Sequence, residues 1–124
     1  MRFAGAVVII GAMLICAGRA GAGTQNSKAS NANAVATGRD DFNENCAHCH
    51  GQDAEAEDSF YNLPQLLSDK KDAFFYATVN DGIKKVGMPS FRKVLKPEQM
   101  SNILSYLRSV EADEGLTEDS DPNK

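Results

Sequence analysis

Hydrophobic residues follow two different patterns along this chain. Residues 3–16 form one continuous apolar stretch, whereas beyond residue 38 the large apolar side chains are isolated and fall at helical intervals. Met100, Ile103, Leu104, Leu107 and Val110 advance by three, one, three and three positions, one face of a helix over residues 97–110. Pro97 suits the first helical position and Glu98 complements the positive end of the helix dipole, although Lys96 is a poor cap. Phe75 and Val79, four apart, predict a second helix over residues 69–80, with Ser68 to cap it and Gly82 to end it in the left-handed conformation. Phe42 and Cys46 predict a third over residues 39–47. No segment alternates with the period of two that a half-buried strand requires. The pattern predicts an all-α protein of three to four short helices joined by long loops.

The apolar stretch has the features of a secretory signal peptide, residues 1–22. Met1 and Arg2 give a short basic start, and Ala20-Gly21-Ala22 a small-residue cleavage site. The stretch is too short to cross a bilayer, which takes about 20 residues, so no membrane span is expected after its removal. A lipid anchor on Cys16 is disfavoured, because the bulky Ile15 stands where a small residue is wanted. Residues 23–37 are small and polar around one large apolar residue, Val35. Such a segment buries too little surface to offset its ordering entropy and reads as a flexible tether. Residues 111–124 set Glu111, Asp113, Glu114, Glu118, Asp119 and Asp121 against Lys124, and read as an acidic disordered tail. Residues 38–110 remain as the folded part, and a chain of 124 residues has room for one domain.

Removal of the signal peptide changes the charge and the cysteine count. Of 13 basic residues Arg2 and Arg19 are lost, so 11 face 17 acidic ones and the net charge is −6. So acidic a protein is no nucleic-acid binder. Cys16 goes too, leaving Cys46 and Cys49 in a periplasmic compartment that permits a disulfide. Three short helices supply little apolar mass, and small domains of this kind need a staple, a metal or a cofactor to complete their core.

Cys46-Ala47-His48-Cys49-His50 has the spacing C-x-x-C-H, the covalent attachment site of a c-type haem. Thiols one helical turn apart can add to the two porphyrin vinyl groups, and the adjoining imidazole then falls beneath the iron. A thioredoxin-like pair would sit in a βαβ unit, which the pattern lacks. Zinc would need four ligands converging on a tetrahedron, and two cysteines with two histidines between residues 46 and 50 do not converge. A plain disulfide closing so short a loop would stabilise little. One haem c bound through Cys46 and Cys49, with His50 on the iron, uses the whole motif.

His48, Met88 and Met100 are the candidates for the other axial position. His48 is tied into the attachment loop on the wrong side of the ring. Met100 lies on the apolar face of the last helix, where methionine serves as core filler. Met88 stands in the irregular loop Val86-Gly87-Met88-Pro89-Ser90-Phe91, in which Gly87 permits close backbone approach and Pro89 stiffens the chain beyond the methionine. His50 and Met88 are the expected metal ligands.

Gly38, Phe42, Cys46-x-x-Cys49-His50-Gly51, Val79-x-x-Gly82, Gly87-Met88-Pro89-x-Phe91 and Ser105-Tyr106-Leu107, in that order, resemble a small class I c-type cytochrome over residues 38–110. The resemblance implies a cytochrome c fold wrapped around the haem. It places Gly38 and Phe42 where the first helix crosses the last, against Ile103, Tyr106 or Leu107. It also implies that the proximal imidazole donates a hydrogen bond to a proline carbonyl within a Gly-Pro-x-Leu stretch. Leu63-Pro64-Gln65-Leu66 supplies Pro64 but lacks the glycine.

Two filled axial positions leave no vacancy for oxygen or peroxide, which points to a single-electron carrier rather than an enzyme, without catalytic residues. A thioether ligand in an apolar surrounding raises the potential. If Met88 were labile or off the iron, a haem sensor or catalytic haem protein would result instead. The run from Cys46 to the terminal helix, with Asn80-Asp81-Gly82 ahead of the Gly-Met-Pro-x-Phe loop, is similar to cytochromes that accept electrons from PQQ-dependent alcohol dehydrogenases such as methanol dehydrogenases. The resemblance then implies a periplasmic monomer that passes electrons to an oxidase, a peroxidase or another cytochrome. Lys84, Lys85, Arg92, Lys93 and Lys96 lie with no acid between residues 83 and 97. This patch would steer an acidic partner to the Met88 side, unless it is ordinary solvated surface.

Overall fold

The computed structural model describes residues 23–116. The expected signal peptide, Cys16 within it, and the far end of the expected acidic tail, residues 117–124, lie outside the described residues. Five helices succeed one another: α1 (Gly23–Asn45), α2 (Ala47–His50), α3 (Leu63–Leu67), α4 (Asp72–Asp81) and α5 (Pro97–Asp113). Short 3-10 turns occupy Gln52–Ala54 and Lys84–Val86. Among the described residues the one strand-like pairing is a single bridge between Ile83 and Met88, so the class is all-α as the periodicity predicts.

The core forms where α1 crosses α5. Phe42, Ile103 and Leu107 are all but sealed from solvent, and the Phe42 ring meets that of Tyr106 at 5.7 Å between centroids. Gly38 lets the two backbones touch. A Cβ at this position would lie 1.9 Å from the carbonyl oxygen of Asn102 and 3.0 Å from the amide nitrogen of Ile103. This is the crossing that the family resemblance implies. Leu67, Phe75, Val79 and Leu95 close the other side, and Met100 is core filler among them.

Residues 23–37, expected as a tether, are instead helical and continuous with the rest of α1. Ala29, Ala32, Ala34 and Ala36 are strong helix formers. Once α5 has stabilised a nucleus around Phe42, each further residue adds a hydrogen bond without a new nucleation penalty. Val35 also reaches the core. The C-terminal boundary moves as well, because α5 runs past Val110 to Asp113. Glu111, expected as the start of a disordered tail, is 1% exposed. Its carboxylate accepts a 2.6 Å hydrogen bond from Arg108. Arg108 donates further to Asp72 and to the carbonyls of Leu67 and Lys70, so one guanidinium fastens the turn between α3 and α4 to the end of α5.

That turn is why α4 begins at Asp72 and not at Asp69. The Lys70 N–H closes onto the Leu67 carbonyl at 2.8 Å, and Lys71 takes the cap position without a side-chain bond. Ser68, the expected cap, donates its hydroxyl to the Gln65 carbonyl instead. Gly82 ends α4 at φ 70° and ψ 177°, extended rather than left-handed α, in a region that glycine alone enters readily. At the start of α5, Gln99 compensates for Lys96: its side chain accepts from the Lys96 N–H and donates to Asp41 on α1.

Candidate haem site

Cys46 is the joint between α1 and α2. Its N–H donates to the Phe42 carbonyl at 2.7 Å, ending the first helix, and its own carbonyl accepts from the N–H groups of Cys49 (3.1 Å) and His50 (3.0 Å). The motif therefore occupies one helical turn anchored directly on the core residue Phe42. Cys46 and Cys49 are free thiols, the first half-buried and the second exposed. Before haem is attached, burial, aided by the charge of Asp41, pushes the Cys46 thiol up to about 11.

His50 ends α2 with Nδ1 2.8 Å from the carbonyl oxygen of Tyr61. A carbonyl only accepts, so Nδ1 is the donor in this contact, and Nε2 is the ring nitrogen left to face a metal. The Tyr61 ring stands edge-on to the imidazole, 6.2 Å between centroids. The resemblance implies the Pro64 carbonyl in this role; the structure gives it to Tyr61. Pro64 is buried in the first turn of α3, with Leu63 where the family has glycine, and a carbonyl inside a helix points along the helix axis. Tyr61 comes just before Asn62, the cap of α3, and its carbonyl lies outside the helix. A backbone acceptor has no residue type, so nothing in the sequence marks it.

Met88 is half-buried in a loop pinned to the end of α4. Its N–H donates to the Ile83 carbonyl (3.2 Å), its carbonyl accepts from the Ile83 N–H (2.9 Å), and the Phe91 N–H reaches the Val79 carbonyl (2.9 Å). Gly82 packs directly beneath, where a Cβ would come within 2.6 Å of the Met88 oxygen. Gly87 is needed for its left-handed conformation, φ 80° and ψ 9°. A Cβ there would meet no protein atom, and the close approach between protein backbones in this loop is at Gly82. His48 is exposed.

A second group, missed in the sequence, holds the loop after the motif. Arg39 donates through Nε (2.7 Å) and Nη2 (2.6 Å) to the two carboxylate oxygens of Asp53. Asn43 donates to Asp53 at 2.6 Å and accepts from its N–H at 2.8 Å. These bonds keep Asp53 and Ala54 at positive φ, 57° and 64°. The bonds from Arg39, then Asn43, hold the Asp53 carboxyl down at about 2. Of the basic segment, Lys84, Lys85, Lys93 and Lys96 are exposed and Arg92 is paired with Asp81.

Large apolar side chains lie exposed between the motif and α5: Tyr61, Leu66, Phe74, Ile83, Val86 and Val94 are 38% to 61% exposed. Two cysteines one helical turn apart and an adjoining imidazole held through Nδ1 fit a covalent haem.

The family described as "Cytochrome C oxidase, cbb3-type, subunit III" matches residues 33–107. The chain belongs to this family. It is a class I c-type cytochrome that binds haem c covalently through Cys46 and Cys49. Cbb3-type cytochrome c oxidase subunit FixP of Sinorhizobium medicae (strain WSM419) is 33% identical to the cytochrome over 87 residues, covering 62% of this chain and 30% of that protein. Quinohemoprotein alcohol dehydrogenase ADH IIB of Pseudomonas putida is 30% identical over 77 residues, 62% of this chain and 11% of that protein. The cytochrome thus spans less than a third of the length of either relative. No solved structure matches it. Among the described residues no helix is long and apolar enough to cross a membrane.

Proposed function

We propose that the cytochrome is a periplasmic monomer that carries single electrons from a PQQ-dependent alcohol dehydrogenase to an oxidase or another cytochrome, with His50 and Met88 as the axial ligands of the haem iron. Haem c supplies a one-electron iron couple. The observation that carries the proposal is the 2.8 Å contact of His50 Nδ1 with the Tyr61 carbonyl, which engages Nδ1 as a donor and leaves Nε2 as the nitrogen for the iron. Met88 is the methionine available for the other side, because Met100 is buried in the core at 6% exposure. With both positions taken by protein ligands, substrates are shut out and outer-sphere electron transfer remains.

Docking is assigned to the Met88 side. Lys84, Lys85, Lys93 and Lys96 are exposed there, interleaved with the exposed Val86 and Val94. Local positive charge around an apolar rim suits an acidic partner that meets the protein at this edge, even though the whole chain is net negative. Similarity to a quinohemoprotein alcohol dehydrogenase and to an oxidase subunit supports a donor and an acceptor of those two kinds.

Stopped-flow mixing of the oxidised holoprotein with a PQQ-dependent alcohol dehydrogenase and its alcohol tests the proposal. Second-order reduction is expected, with a rate that falls as salt rises, since exposed charges are screened over about 10 Å at 0.1 M. Lys84→Gln/Lys85→Gln protein should react more slowly at low salt and depend less on salt, at unchanged potential. No reduction by the dehydrogenase would overturn the donor assignment. An unchanged rate in the double variant would assign docking to the apolar rim alone.

A further inference from the structure

The carbonyl that holds His50 belongs to a tyrosine, which lacks proline's fixed φ. Two neighbouring side chains make up for this. On the N-terminal side Asp58 closes a tight turn: its carboxylate accepts from the Phe60 N–H at 2.9 Å, and its carbonyl accepts from the Tyr61 N–H at 2.9 Å. On the C-terminal side the Asn62 side chain accepts from the Gln65 N–H at 3.0 Å, and the Asn62 carbonyl accepts from the Leu66 N–H at 3.0 Å.

The Tyr61 carbonyl lies in the rigid peptide plane that it shares with the Asn62 nitrogen. That plane swings only if the torsions on either side of it change. The Asp58 turn restrains the torsions before it and the cap on α3 restrains those after it. A proline at position 61 could not donate the N–H that reaches Asp58, so the turn is a different solution to the same problem.

We propose that Asp58 and Asn62 are positioning residues that aim the Tyr61 carbonyl at His50 Nδ1 and thereby set the reduction potential of the iron. The proposal rests on His50 being the proximal ligand. The sense of the effect comes from ligand chemistry. A firm N–H···O=C bond makes the imidazole more basic at Nε2. A more basic ligand favours ferric iron, which carries the extra positive charge, so loosening the bond raises the potential.

The test uses the holoprotein and the variants Asp58→Ala, Asp58→Asn, Asn62→Ala and Asn62→Ser. Asparagine at 58 and serine at 62 keep a side-chain acceptor. D58A and D58N lose the same charge, so their difference isolates the hydrogen bond. Potentiometric titration should show the Ala variants shifted toward ferrous iron by about threefold relative to D58N and N62S, about 28 mV at 59 mV per tenfold for one electron. Exchange of the His50 Nδ1 proton, followed by NMR in the reduced state, should quicken in the Ala variants and stay near wild type in the conservative ones. Equal potentials and equal exchange within each pair, with only thermal stability lowered, would overturn the positioning role. The wild-type spectrum separates this from failure of the ligation itself: without a His50 Nδ1 proton shifted by the porphyrin ring current, both proposals fall.

Discussion

Replacing Gly38 with alanine tests the helix crossing that places the attachment motif. The new Cβ would start 1.9 Å from the Asn102 carbonyl oxygen, 2.4 Å from its carbon and 3.0 Å from the Ile103 nitrogen, all backbone atoms that no rotamer change can clear. Relief to an ordinary separation of 3.4 Å requires α1 to back away from α5 by roughly 1.5 Å at this point, and gaps of that size forfeit more than about half of each dispersion contact they open. The contacts at risk are those of Phe42, Ile103 and Leu107, each at most 1% exposed. Overpacking of this kind costs up to about 3 kcal/mol. Exchanging glycine for alanine inside a helix returns about 1 kcal/mol. The net loss is about 2 kcal/mol, which for a domain this small lowers Tm by roughly 8 to 16 °C. Thermal unfolding of the holoprotein followed by circular dichroism measures it. A Tm equal to or above wild type, the result that helix propensity alone predicts, would refute the close crossing.

Protein with Cys46→Ala and Cys49→Ala, unable to hold haem covalently, should lack a cooperative thermal transition, because short helices on a domain this small need a cofactor to complete their core; a sharp transition in circular dichroism would show that the helices suffice alone. Asp53 is held below its ordinary 3.8, at about 2, by Arg39 and Asn43, so its contribution to stability is complete above the ordinary value and is lost as pH falls through the folded one. The stability difference between wild type and Asp53→Asn in urea titrations should then shrink between about pH 4 and pH 2, and a difference constant over that range would remove Asp53 from the clamp. Met100→Leu, a swap of similar volume in the core, should leave the visible spectrum unchanged and cost less than about 1.5 kcal/mol.

The attachment cysteines were legible because covalent haem chemistry fixes their spacing. C-x-x-C-H is the spacing that covalent haem attachment needs, and Met100 on the stripe of α5 declared itself core. Gly38 and Phe42 were placed by family resemblance, and the 1.9 Å approach gives the physical reason for the glycine. Other features were hidden because they depend on partners distant in sequence or on the backbone. Glu111 looked like tail until Arg108 drew it in, and Arg108 itself is spent on a turn around Leu67 and Lys70. Composition alone made residues 23–37 a tether, since it weighs burial but not the ease of extending a helix already nucleated by α5. Arg39 and Asp53 meet only because the chain turns back after the motif. Tyr61 acts through its carbonyl, which every residue possesses, and Pro64 drew attention only because its type is recognisable.

Ligation of the haem iron by His50 and Met88 is tested most directly by the near-infrared absorption of the oxidised holoprotein, wild type beside Met88→Ala. A weak methionine-to-iron band is expected in the wild type and absent from the variant, which keeps its covalent haem and gains rapid cyanide binding. A band that survives Met88→Ala, or that is missing from the wild type, would contradict the assignment.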